Sequence, residues 1–289
     1  MSNMSRNLFC LIHTHNCDLV PGKTANMASL PDGGFKFAWP FPKKESFLYR
    51  LKSKVAMTTV HFLSKALFAA NVNKIVVHNK EVFMKHLANT SRPLLTIANH
   101  RCNIDDPLLW SILTWKEFFA NISRYRYTLA AHNICFSKAW HTKLFSSGRC
   151  VPVVRGAGVH QEGMDYCLEK LDERKWVHVF PEGKVTPQPI RIKWGVARLA
   201  MEAKLPPIVL PIWVNGMDSV WPTEKPYYPR FGKASIVEVT VGEPLDMKTI
   251  LPTLRTSSEI TRRKELADIL QEKLFALGRA TSKKPIDSS

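Results

Sequence analysis

Apolar residues recur along this chain in two rhythms that alternate. Short runs at 74–78, 94–98, 177–180, 208–214 and 235–241 predict strands. In the last of these, Val237, Val239 and Val241 fall on one face with period two. Helical spacing marks 107–113, 159–171, 192–203 and 260–277, where for example Met164, Leu168 and Leu171 stand at i, i+4 and i+7. Thr256-Ser257-Ser258-Glu259 reads as a capping box opening the last helix. Pro211, near the middle of "IVLPIWVNGM", predicts an edge or bulged strand there. Strands interleaved with helices predict an α/β fold, a mixed, largely parallel sheet flanked by helices.

The stretch 46–73 differs from the rest. It is strongly apolar, yet Arg50, Lys52, Lys54 and Lys65 interrupt it. A spanning helix wants ~20 predominantly apolar residues. This pattern instead predicts a helix lying in a membrane interface, with lysines reaching lipid phosphates. Before it, Pro21, Gly22, Pro31, Gly33 and Gly34 break any period. The expected organisation is an unstructured or targeting arm (1–37), a membrane-associated segment (38–73), a catalytic domain (74–278) and a tail (279–289).

Charge narrows the partners. Lys and Arg number 41 against 24 Asp and Glu, a net charge of +17. Such a balance favours an anionic membrane, anionic substrates or nucleic acid. The basic groups at 43–54 and 262–264 carry no nucleic-acid motif, so nucleic acid is not expected. Six cysteines without a C-x-x-C pair read as reduced thiols. Cys10, His13, His15 and Cys17 lack zinc-finger spacing, and no metal site is expected.

Candidate chemistry gathers in "NHRCNIDDP", 99–107. Pro107 suits the first helical position and Asp106 the N-cap before it. That places His100 and Asp105 in a turn between strand and helix, where they can fold onto each other. A carboxylate on one imidazole nitrogen fixes the tautomer, and the other nitrogen can take a proton from an alcohol. No G-x-S-x-G accompanies them, so the alcohol would belong to a substrate. The alternative is that Asp105 caps the helix and His100 is incidental.

Three further stretches follow: "GRCVPVVRG" (148–156), "HVFPEGKV" (178–185) and the proline-bearing apolar strand. The order N-H-x4-D, G-x6-R, F-P-E-G and apolar strand resembles the glycerolipid acyltransferase superfamily. "WPFP", "VHNKEV", "NHRCNIDDPLLW", "ICFSK", "GMDYCLEKL", "IKWGVARL" and "YYPRFG" make it most similar to the branch that moves acyl chains directly between phospholipids and lysophospholipids. That resemblance implies a glycerolipid acyltransferase-like fold and a transacylase remodelling cardiolipin, without coenzyme A or other cofactor. It further implies a peripheral or interfacial position at mitochondrial membranes, facing the intermembrane space, and leaves open a membrane-bound oligomer.

Carried over residue by residue, His100 takes the place of the catalytic base and Asp105 of its partner. Glu182 and Gly183 occupy the lipid-binding turn, and Arg155 the position linked with substrate phosphate. The superfamily's phosphate-accepting members continue F-P-E-G with Thr-Arg. Here Lys184 and Val185 follow, which weakens lysophosphatidic acid as acceptor. Lys184 offers a point charge without a fork. Lys193 stands where the superfamily often has a lysine. Of Trp110, Trp115, Phe118 and Phe119, core packing is the expected role and an acyl groove the alternative. Competing readings are an acyl-CoA-dependent lysophospholipid acyltransferase and a non-enzymatic lipid-binding scaffold.

Overall fold

The computed structural model describes residues 37–69, 73–225, 228–230, 235–255 and 258–281. The Cys/His group near the start and Thr256-Ser257 of the expected capping box lie outside these residues. So do 70–72 at the end of the basic apolar stretch.

The strands are β1 (Asn73–His78), β2 (Leu94–Ala98), β3 (Tyr127–Ala131), β4 (Cys150–Val153), β5 (Trp176–Val179), β6 (Ile208–Asn215), β7 (Ser235–Val241) and β8 (Leu245–Asp246). Among the described residues they form one sheet in the order β1-β7-β6-β2-β5-β3-β4, with β8 beside β6. From β6 through β2, β5 and β3 to β4, every neighbour is parallel. β7 runs antiparallel to β6, and β1 parallel to β7. The sheet is thus mixed and largely parallel, as the alternation of strands and helices predicts.

The helices are α1 (Phe47–Ala66), α2 (Lys80–Ala88), α3 (Asp105–Leu109), α4 (Trp115–Asn121), α5 (His132–Cys135), α6 (Ala139–Ser147), α7 (Glu162–Asp172), α8 (Gly195–Glu202), α9 (Met217–Val220), α10 (Met247–Ile250) and α11 (Glu259–Thr281). They cover both sheet faces, so the central strands are apolar throughout. All five residues of β2 are buried. Leu95 and Ile97 point into a core with α7, α8 and α11, whereas Leu94 and Ala98 point into a second core with α2 and α3. Trp110 and Trp176 meet edge to face at 4.5 Å in the second core, both fully buried. Truncating either to alanine would cost about 3–5 kcal/mol.

Two expectations are corrected here. β6 is an interior strand: it pairs with β2 on one side and with β7 and β8 on the other. β7 pairs from Ile212 and β8 up to Val209, so Pro211 falls in the gap between them. Its carbonyl accepts the Gly242 N–H there, at 2.8 Å. A strand residue's N–H and C=O point to the same side, so the missing donor costs no ladder bond. Asp106 is not the N-cap. α3 begins at Asp105 after Ile104, and the Asp106 side chain instead reaches into the core.

α1 opens on Ser46, whose side chain accepts the Tyr49 N–H at 3.1 Å. Its packing inverts the usual pattern. It buries Ser53, Met57, His61 and Ser64, while Phe47, Leu48, Leu51, Val55, Phe62 and Leu63 face outward. His61 stacks on Phe118 of α4, ring centroids 4.3 Å apart. Burial, reinforced by the charge of Lys65, pushes its pKa down to about 4. Lys65 turns inward to the Ser111 carbonyl at 3.0 Å rather than outward. Trp110 and Phe118 are core, as expected, whereas Trp115 and Phe119 are exposed beside α1. Among the described residues, no helix is long and apolar enough to cross a membrane.

Candidate active site

The site begins where β2 ends. Asn99 is buried, and its amide copies a strand: Nδ2 donates to the Val214 carbonyl and Oδ1 accepts the Val214 N–H, both at 2.8 Å. The side chain thereby extends the β2–β6 pairing while the backbone turns away. His100 follows at the carboxyl end of the parallel strands, the edge where open α/β sheets bind ligands.

Nδ1 of His100 lies 2.9 Å from Oδ2 of Asp105. The same oxygen accepts the backbone N–H groups of Arg101 and Cys102, at 2.7 and 2.8 Å. The turn is therefore wound around the carboxylate. Phe180 stacks on the other side of the imidazole, with centroids 4.2 Å apart and planes 18° from parallel. Held in this way, the ring directs Nε2 away from Asp105, as a base toward a hydroxyl requires.

Beneath lies a buried polar layer. His178 Nδ1 meets Thr96 Oγ1 at 2.8 Å, and Trp176 Nε1 donates to that hydroxyl at 2.8 Å. Burial keeps His178 neutral, pushing its pKa down to about 3. Asp106 pairs with Arg126 and accepts Trp110 Nε1 at 3.1 Å. Burial alone would raise the Asp106 pKa, but the Arg126 charge and these bonds hold it below its ordinary value.

The F-P-E-G turn follows β5, next to β2. Gly183 has φ +74°, and its N–H donates to the Phe180 carbonyl at 3.0 Å. That amide is engaged within the turn rather than offered as an oxyanion donor. Lys193 crosses the turn: its N–H donates to the Pro181 carbonyl at 2.7 Å. A Cβ at Gly183 would lie 3.4 Å from Lys193 Cγ. Lys184 and Lys193 are exposed. Glu182 is completely buried, bonded to Arg101 and Thr186. Burial raises its pKa, and Arg101 works against that rise.

The structure thus brings His100, Asp105, Glu182, Gly183 and Lys193 together. Arg155 stands exposed just beyond β4, at the same sheet edge but three strands from β2. At ~4.8 Å per strand spacing that is a lateral separation of about 14 Å. Arg101, Thr186 and Asn99 are structural partners that sequence reasoning missed. Arg101 and Asn99 flank His100 directly, and that adjacency was the available signal. Among the described residues, no cluster of His, Cys, Asp or Glu is arranged to hold a metal ion.

A largely parallel α/β sheet carrying a histidine–carboxylate turn beside an F-P-E-G turn defines an acyltransferase, and the family model described as Acyltransferase matches residues 74–215. The 1-acyl-sn-glycerophosphate acyltransferase of Thermotoga maritima shares the fold, with TM-score 0.50, 18% identity, and coverage of 81% of this chain and 83% of that one. The chain belongs to the tafazzin family. It is 37% identical to Drosophila melanogaster tafazzin, over 86% of this chain and 67% of that protein. With a Dictyostelium discoideum tafazzin the identity is 33%, over 76% of this chain and 78% of the relative. It is an enzyme that transfers acyl groups of phospholipids.

Proposed function

We propose that the protein is a CoA-independent phospholipid–lysophospholipid transacylase that remodels cardiolipin at the surface of a mitochondrial membrane. The observation that carries this reading is the His100–Asp105 pair, 2.9 Å apart at the carboxyl edge of the sheet, with no serine nucleophile motif in the chain. His100 Nε2 takes the proton of a lysolipid hydroxyl. The freed oxygen attacks an ester carbonyl of a neighbouring phospholipid, and the tetrahedral intermediate collapses to expel the donor's glycerol oxygen. That oxygen recovers the proton from His100. Asp105 holds the tautomer and stabilises the imidazolium.

Arg155, Lys184 and Lys193 supply positive charge for headgroup phosphates, and the Glu182–Gly183 turn gives the glycerol backbone a close approach. Residues 38–73 act as a membrane-associated segment ahead of the acyltransferase domain at 74–278. α1 and α4 expose Leu51, Val55, Phe62, Trp115 and Phe119, and α6, packed against α1, adds Trp140 and Leu144. Such an apolar surface amid basic residues suits an anionic bilayer. It is also the presentation that a lipid-to-lipid transfer needs, since both substrates reside there.

Wild type and His100→Ala are compared on vesicles of lysocardiolipin and acyl-labelled phosphatidylcholine, without coenzyme A. The expected result is label in cardiolipin with the wild type alone. Transfer only after acyl-CoA is added would assign the CoA-dependent class instead, and transfer by His100→Ala would remove the histidine from the chemistry.

A further inference from the structure

Glu182 is enclosed at 0% relative accessibility. Its Oε1 and Oε2 accept Arg101 Nη1 at 3.2 and 3.0 Å, and Oε2 also accepts the Thr186 hydroxyl at 2.7 Å. Arg101 Nη1 further donates to the Thr186 carbonyl at 2.9 Å, and its guanidinium lies over Trp213, 5.6 Å from the ring centroid. The connections continue into the backbone. Thr186 N–H donates to the His100 carbonyl at 3.0 Å, and Arg101 N–H donates to Asp105 Oδ2. Two turns that are 81 residues apart in the chain are therefore tied by side chains and backbone at once.

A carboxylate with no exposed surface reaches a lipid hydroxyl only by breaking these bonds and stranding the Arg101 charge. We propose that Arg101 and Glu182 form a positioning pair that locks the histidine turn to the glutamate turn, and that the Glu182 carboxylate does not itself bind lipid. The proposal rests on His100 being the base, since what the pair fixes is that ring and its approach to the ester. The lipid meets the backbone and exposed lysines of the turn, and Glu182 keeps the turn in place.

A ligand and a strut respond differently to charge removal. Breaking a buried pair by one substitution leaves an uncompensated charge, whereas neutralising both partners removes the imbalance. Glu182→Gln strands Arg101, and Arg101→Gln strands Glu182. Arg101→Gln/Glu182→Gln keeps two amides able to bond each other. If Glu182 were a lipid ligand, Glu182→Gln would raise KM and the double variant would keep that raised KM.

The experiment measures acyl transfer on vesicles at varied lysolipid content for wild type, both single variants and the double, with thermal unfolding of each. A displacement of about 1 Å at the reacting centre costs about 10²-fold. Each single variant is accordingly expected to lose about 10²-fold in kcat with KM nearly unchanged, and the double to recover about tenfold over either. A double variant no better than Glu182→Gln, or a raised KM with intact kcat in Glu182→Gln, overturns the proposal. Should the single variants unfold, Thr186→Val tests the same link without stranding a charge. It should lower kcat severalfold with KM unchanged, and an unchanged kcat counts against the lock. Failure of the base reading would show separately, as transfer surviving in His100→Ala. Failure of the transacylase reading would show as a wild-type requirement for acyl-CoA, under which the same variants remain comparable.

Discussion

Oδ2 of Asp105 accepts three hydrogen bonds at once, from His100 Nδ1 and from the backbone N–H groups of Arg101 and Cys102. The carboxylate therefore builds the turn as well as orienting the base. Asp105→Asn separates these roles. An amide oxygen can still accept the two backbone donors, so the turn should fold. It removes the charge that stabilises an imidazolium, while the oxygen facing Nδ1 is kept. The expected outcome is a fall in kcat of about 10²–10⁴-fold with little change in KM. Steady-state transfer kinetics check it, and a variant within tenfold of wild type would sink the assignment.

His178 gives a pH signature. Its pKa is depressed from the ordinary 6.5 to about 3 by burial. Between those values the unfolded chain binds a proton that the folded chain refuses, so stability falls as pH drops through that window. At ~1.4 kcal/mol per unit, the full effect is on the order of 5 kcal/mol. His178→Gln cannot titrate and should show a flatter stability curve from pH 6.5 downward, whatever its absolute stability. Denaturant unfolding at stepped pH provides the comparison. Parallel curves for the two proteins would refute the assignment.

Legibility followed the range of the interaction. β2 and β6 were readable because burial on both faces leaves almost nothing but apolar residues in them. β3 was not, since Arg124 and Arg126 in the approach to it break the apolar run. Those arginines are nonetheless buried: Arg124 caps backbone carbonyls such as that of Leu87, and Arg126 pairs with Asp106. Asp106 read as a helix cap because its partner lies 20 residues away. The site's chemical pair, five residues apart, was visible in the sequence. Glu182's partner was not, because only the adjacency of β2 and β5 brings Arg101 to it. The apolar rhythm of α1 was likewise visible, but not that its serines and histidine turn inward.

Gly183 holds φ +74° in the F-P-E-G turn. A side chain in that region costs ~1–2 kcal/mol. The nearest atom to an added Cβ, Lys193 Cγ at 3.4 Å, is in ordinary contact. Gly183→Ala should therefore lose stability through backbone strain rather than a clash. For a chain of this size the melting temperature should fall by roughly 2–8 °C. Calorimetry measures it, and an unshifted transition would mean that the turn relaxes to a negative φ.

The outward face of α1 makes the most exposed prediction. Leu51 and Phe62 are 46% and 59% accessible, so replacing either with glutamate removes no core contact. Surface changes of this kind usually alter folding by less than ~0.5 kcal/mol. If the face enters a bilayer, the same changes forfeit burial worth about 1.5–3 kcal/mol per side chain, or about 10–100-fold in partitioning. They also set a negative charge against anionic lipid. Leu51→Glu and Phe62→Glu should each melt like the wild type, yet lose at least about tenfold in binding to cardiolipin-containing vesicles. Transfer between detergent-dispersed lipids should persist, because His100 and Asp105 are untouched. Sedimentation with vesicles at two salt concentrations separates the contributions, since the apolar loss survives high salt and the electrostatic loss does not. Undiminished binding by both variants would take α1 off the membrane and leave its exposed apolar face in need of another partner.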